Sequence, residues 1–169
     1  MKKKLKQKVL DNSYFSFVLY GDSRSLPLKS KSIDLIVTSP PYWNKVKYDN
    51  DKKNLCNFDD YYEFVEQIRK VFVECYRVLK KGRKLCVITA NVHEKGKNGI
   101  IRYPLASDYI IQCRDIGFEL VSEVIWSKLD TGSPYGASGG KRPIFGSYPY
   151  PPNFLFFNLH EYILIFRKP

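Results

Sequence analysis

Three observations predict an α/β fold with a mostly parallel sheet. Two β-rich runs stop at polar residues, FSFVLYGDS at 15–23 and SIDLIVTSPP at 32–41. A long stretch of helical period follows them, and further strand-like runs then alternate with a second helical stretch. The chain closes on a strand, a long loop and a strand, a unit expected to pair antiparallel at one edge. With 169 residues and 44% hydrophobic content, one domain with its own core is within reach, which excludes disorder as the main state.

Taken in order, residues 1–12 open with MKKKLKQK and read as a basic, solvated tail, leaving 13–169 as the folded part. The two strands at 15–23 and 32–41 both carry polar residues at their C-terminal ends, Asp22 in one and Ser39 in the other. In open α/β sheets ligands sit beyond that end. From residue 58 the period changes. DDYYEFVEQIRKVFVECYRVLKKG puts Tyr62, Val65, Ile68, Phe72, Cys75, Val78 and Leu79 on one face, opens with carboxylates and closes with Lys80, Lys81 and Gly82. KLCVITAN at 84–91 is a third strand, followed by a Gly/Lys-rich loop at 94–99. Residues 104–116 read as a helix stopped by Gly117. FELVSEVIWSK at 118–128 and HEYILIFRK at 160–168 are the last strands. Between them lie about thirty residues dense in Gly, Ser, Pro, Tyr and basic side chains, and a loop of that length in a compact domain is more often functional than filler.

Charge narrows the function. The net charge of +11, from 28 basic and 17 acidic residues, points to a polyanionic partner with nucleic acid first, although a generally Lys-rich surface would give the same count. Cys56, Cys75, Cys86 and Cys113 contain no CxxC pair and only two histidines accompany them, so no zinc site or other metal is implied. No run approaches the length of apolar residues needed to span a membrane, and the basic start lacks an apolar follower, so the expectation is a cytoplasmic protein with no membrane partner.

The stretch VTSPPYW, 37–43, is the sharpest signal. Two prolines remove two donors, fix two φ angles and hold the preceding residue extended, so Ser39, Pro40 and Tyr42 leave the strand in few directions. A Ser hydroxyl and a Pro carbonyl are hydrogen-bond acceptors, and an aromatic ring offers a face for stacking. That set suits a flat ring bearing an exocyclic amine. The amine of cytosine or adenine is a poor nucleophile because its lone pair is delocalised into the ring. Two acceptors on its hydrogens favour a pyramidal nitrogen with an available lone pair. A Pro-Pro turn is also an ordinary strand stop.

VTSPPYW resembles the catalytic motif of the amino-methylating DNA methyltransferases, in which Asp, Asn or Ser precedes Pro-Pro and an aromatic residue. The serine form is most similar to the branch that methylates N4 of cytosine. LYGDSRSLPLKSKSIDLIV, FDDYYEFVEQIRKVFVECYRVLKKG, FELVSEVIWSK, FGSYPYPPN and HEYILIFRKP resemble further blocks of these enzymes, about 150 residues in all. The resemblance implies a Rossmann-like, S-adenosylmethionine-dependent sheet. It implies that Ser39 and Pro40 contact the target amine, that Pro41 keeps the turn rigid, that Tyr42 stacks on an extruded base, and that Asp22 lies near the adenine of the cofactor. Trp43 either stacks with the base or closes the core. Double-stranded DNA is the implied partner, with Lys45, Lys47, Lys141 and Arg142 as candidate phosphate contacts. The C5-cytosine route needs a cysteine nucleophile, typically after proline, and no cysteine here follows one. GGKRP at 139–143 lacks the hydroxyl residue of a phosphate loop.

The family's FxGxG cofactor loop and the acidic residue on its following strand do not occur in the sequence. The expected sheet is therefore incomplete. The cofactor half is expected on a second polypeptide, lost from a truncated product, or in a further part of a longer protein. The leading expectation is a catalytic-half polypeptide of an N4-cytosine DNA methyltransferase of a restriction-modification system. N6-adenine methylation and a non-catalytic DNA-binding remnant are the rivals, with RNA as a lesser alternative substrate.

Overall fold

The computed structural model describes residues 7–11, 14–46, 51, 54–97, 99–128 and 159–169. Its centre is a four-stranded mixed sheet in the order β3-β4-β8-β7, made of β3 (Ile33–Thr38), β4 (Leu79–Thr89), β7 (Glu119–Ser127) and β8 (His160–Arg167). β3 and β4 are parallel, with Val37 opposite Cys86, while β8 runs antiparallel to both β4 and β7. Three of the four strands therefore point the same way. The reversed strand is β8, inserted one place in from the edge, and β7 takes the edge itself. Two antiparallel hairpins stand beside this sheet: β1 (Gln7–Asp11) with β2 (Tyr14–Phe17), and β5 (Val92–Gly96) with β6 (Gly99–Tyr103).

Helix α1 (Tyr61–Val78) starts where the Asp60 side chain accepts from the Glu63 N–H at 2.8 Å, the expected N-terminal cap. It buries Tyr61, Phe64, Ile68, Val71, Phe72, Cys75 and Val78. The predicted stripe is right from Ile68 to Val78, but at the first turn Tyr61 points inward and Tyr62 is 74% exposed, and Leu79, Lys80, Lys81 and Gly82, read as the close of the helix, open β4 instead. Capping at Asp60 sets the helix phase at its first turn. Helix α2 (Leu105–Ile116) ends as predicted at Gly117, whose φ of 111° is left-handed. The N–H of Gly117 donates to Arg114 and that of Phe118 to Cys113, both at 2.9 Å, so the last carbonyls are satisfied. Both helices cover one face of the sheet, where Leu85, Val87, Leu164 and Phe166 pack against Phe64, Ile68, Phe72 and Tyr109.

Three expectations change. The strand placed at 15–23 ends at Phe17 and pairs with Gln7–Asp11 rather than joining the main sheet, and Val18 and Tyr20 are exposed. Part of the expected tail is therefore a strand. The loop placed at 94–99 is mostly the β5–β6 hairpin, with Gly96 opposite Gly99. The polar stop of the first run does not lie at the end of a sheet strand, because β-pairing is decided by a distant partner and not by local propensity.

Candidate active site

Ser39 follows the last residue of β3, so the parallel β3–β4 pair aims the Ser-Pro-Pro turn at the end of the sheet. Pro40 is buried, Ser39 is exposed, and Pro41 and Tyr42 are half-buried. These four residues line one open cavity of about 710 Å³, with Lys45 and Val46 after them in the chain. Ile88 of β4, Trp126 of β7 and Glu161 of β8 line it as well. The Ser39 hydroxyl and the Glu161 carboxylate both act on the Tyr42 phenol. Burial pushes the phenol pKa up and the Glu161 carboxylate adds to that, while the Ser39 hydroxyl pulls it down.

The structure therefore brings Ser39, Pro40, Pro41 and Tyr42 together as expected, and adds Glu161 and Trp126, which the sequence reading passed over. The missed signal is the strand period: Glu161, Ile163 and Ile165 alternate along β8 and share one face. Trp43 takes the core role rather than the base-stacking one. It is 1% exposed, meets Tyr61 and Tyr103 edge-on, and its Nε1–H donates to the Phe58 carbonyl at 3.0 Å. An indole so enclosed cannot reach DNA. Lys45 lines the cavity, and its ammonium donates to the His93 carbonyl. Lys47, Lys141 and Arg142 lie outside the described residues.

Asp22 is not among the residues that line the cavity. Its carboxylate accepts from the Arg24 guanidinium at 2.7 to 3.1 Å and from the Arg24 N–H at 2.9 Å, and Arg24 reaches on to Gln67 of α1 at 3.1 Å. For a methyl-donor cofactor the described residues thus offer an acidic group already engaged by arginine, and the sequence holds no FxGxG cradle. They fit the amine-holding side of the chemistry and do not by themselves build the donor's side. Among the described residues no group of three or more His, Cys, Asp and Glu is placed to hold a metal, and no helix is long and apolar enough to cross a membrane.

An open α/β sheet with the Ser-Pro-Pro-Tyr corner at the end of a parallel strand has the Rossmann-like fold of the S-adenosylmethionine-dependent methyltransferases. The chain belongs to the N6/N4 DNA methylase family, whose sequence profile matches residues 33–169. It is 29% identical to the type II methyltransferase M.MjaI of Methanocaldococcus jannaschii, over 89% of this chain and 55% of that protein. It is 31% identical to the type II methyltransferase M.MthZI of Methanothermobacter thermautotrophicus, over 83% of this chain and 41% of that one. The chain thus spans about half the length of these relatives. Among solved structures it is similar to TTHA0409 of Thermus thermophilus, assigned as a DNA modification methylase and solved with S-adenosyl-L-methionine. That match has a TM-score of 0.63 and 28% identity, and covers 88% of this chain and 54% of that one. The fold is also that of the PvuII cytosine-N4-specific DNA methyltransferase, with a TM-score of 0.59 and 19% identity over 88% of this chain and 48% of that one.

Proposed function

We propose that this chain is the amine-holding part of an S-adenosylmethionine-dependent DNA methyltransferase that methylates N4 of cytosine. The observation that carries the proposal is the cavity corner in which Ser39 and Pro40 present acceptors beside the half-buried Tyr42 ring. Ser39 Oγ and the Pro40 carbonyl accept from the two hydrogens of the amine, which favours a pyramidal nitrogen, and Tyr42 supplies the face against which the extruded base lies. When bound, the cofactor supplies an electrophilic methyl group. The chain's own contribution is orientation and polarity at the amine. A duplex base reaches this corner only when flipped out, and the net charge of +11 supports a protein that holds a distorted polyanion.

The glycine cradle for the donor comes from outside these 169 residues, on further residues of the same protein or on a second polypeptide. The type II names of the relatives support a place in a restriction-modification system, working on DNA in the cytoplasm. Incubating DNA with the complete protein and S-adenosylmethionine, digesting it to nucleosides and weighing them tests the reading. N4-methylcytosine is the expected product. N6-methyladenine would sink the cytosine assignment and keep the amine chemistry, and no methylated base at all would leave a DNA-binding remnant.

A further inference from the structure

The β5–β6 hairpin takes no part in the amine chemistry, yet its root is built into the core. Val92 at one end of the ribbon is 5% exposed, and its cross-strand partner Tyr103 meets the Trp43 ring at 5.0 Å and the Tyr61 ring at 4.3 Å. Two further tethers come from the residues that follow the Ser39–Tyr42 corner. Asn44 Nδ2 donates to Glu94 Oε1 at 3.2 Å, and the ammonium of the cavity-lining Lys45 donates to the His93 carbonyl. The hairpin backbone therefore stands within one lysine side chain of the cavity, held by the same turn that carries the corner.

Register divides the hairpin's charges. Residues directly opposite in an antiparallel pair share a face, and successive residues alternate between faces. Val92, Tyr103, Glu94, Ile101, Gly96 and Gly99 thus lie on the anchored face, where a Cβ added to Gly96 would come within 2.7 Å of Ile101 Cδ1. His93, Lys95, Ile100 and Arg102 lie on the other face and are exposed, and Lys97 is exposed at the turn. Residues 92–103 hold one carboxylate, Glu94, and it falls on the anchored face with Asn44 as a donor. The lysines and the arginine are all left on the outside. Like charges gathered on one side of a two-stranded ribbon repel one another, whereas a polyanion lying along that side neutralises them.

We propose that the β5–β6 hairpin is the element that grips DNA beside the cavity: Lys95 and Lys97 contact the phosphate backbone flanking the nucleotide whose base enters it. Tethering through Asn44 and Lys45 fixes that grip relative to the Ser39–Tyr42 corner. Phosphate contacts carry no sequence information, so the hairpin positions the duplex and leaves the choice of base to other groups. The inference deepens the amine-methylating reading and rests on it for DNA as the polyanion.

The salt dependence of binding tests the grip. The affinity of the complete protein for a labelled duplex is measured over a range of salt concentrations. Each phosphate contact contributes close to one to the slope of log K against log salt, so Lys95→Gln/Lys97→Gln is expected to flatten the slope by about two and to weaken binding alike for every duplex sequence. KM for DNA is expected to rise with kcat unchanged. Lys95→Arg/Lys97→Arg keeps both charges and is expected to keep the slope. Lys70→Gln/Arg114→Gln removes as much charge from exposed positions on α1 and α2 and is expected to leave the slope as it was. An unchanged slope in the Lys95→Gln/Lys97→Gln variant overturns the proposal, as does an equal flattening in the helix variant, which would make the effect one of net charge alone. The binding arm needs neither cofactor nor chemistry. A flattened slope in a protein that methylates no base overturns the proposed function and keeps the hairpin's grip, and N4-methylcytosine made by a protein whose slope ignores both lysines does the reverse.

Discussion

Tyr42 and Trp43 are neighbours with opposite tasks, and the backbone between them explains how. Trp43 has a φ of +53°, a left-handed conformation uncommon for a bulky residue, and this sharp turn sends one ring to the cavity wall and the next into the core. Both roles for Trp43 are open in the sequence because an aromatic after Pro-Pro suits either. What decides is non-local: the Phe58 carbonyl, and the rings of Tyr61 and Tyr103. Trp43→Ala removes the largest fully buried side chain and leaves that carbonyl without its donor, so the expected loss is about 3–5 kcal/mol of folding stability. A denaturant titration reads it as a lower midpoint. An unchanged midpoint would mean that the indole is not a core group. The placing of the Ser39–Tyr42 corner at the cavity was legible to the residue, because Ser-Pro-Pro-Tyr is a contiguous motif with a rigid backbone. Glu161 was not, since it reaches the same cavity only through the β3–β4 and β4–β8 pairings, made between strands far apart in the chain.

At the scale of elements, what was legible is what is encoded locally. The carboxylates, the apolar stripe and the glycine stop marked α1 and α2 to within a few residues, because caps and period act over one or two turns. The run at 15–23 misled because its β-propensity is satisfied by a hairpin with residues 7–11, a partner that local propensity cannot name. Gly117 makes the local logic testable. Its φ of 111° disfavours any residue with a Cβ, and an added Cβ would also come within 3.2 Å of the Tyr76 hydroxyl oxygen. Gly117→Ala is expected to cost roughly 1–2 kcal/mol, the penalty of left-handed backbone for an L-residue. Thermal unfolding of the variant would show it, and a midpoint at or above that of the parent chain would refute the cap.

For the whole molecule, the sheet is one-sided among the described residues. α1 and α2 cover the face that carries Leu85, Val87, Leu164 and Phe166, while the other face carries Leu35, Val37, Cys86, Ile88, Ile163, Val124 and Trp126. Leu35 and Val37 on β3, at one end of the strand order, are 56% and 61% exposed. A two-faced apolar strand pattern was legible in SIDLIVT and KLCVIT, but which face the helices would take was not, since that depends on how each crossover packs. Two valines in adjacent strands separate the faces experimentally. Val87 is fully buried against the helices, so Val87→Thr hides a hydroxyl in an apolar layer and is expected to cost roughly 1–3 kcal/mol. Val37 makes the same change in contact with water, on a strand where threonine is as well suited as valine, so Val37→Thr is expected to stay within about 0.5 kcal/mol of the parent. Parallel denaturant titrations of the two variants measure the asymmetry directly. Equal losses would mean that something in the 169 residues covers the second face, and the one-sided architecture would have to be abandoned.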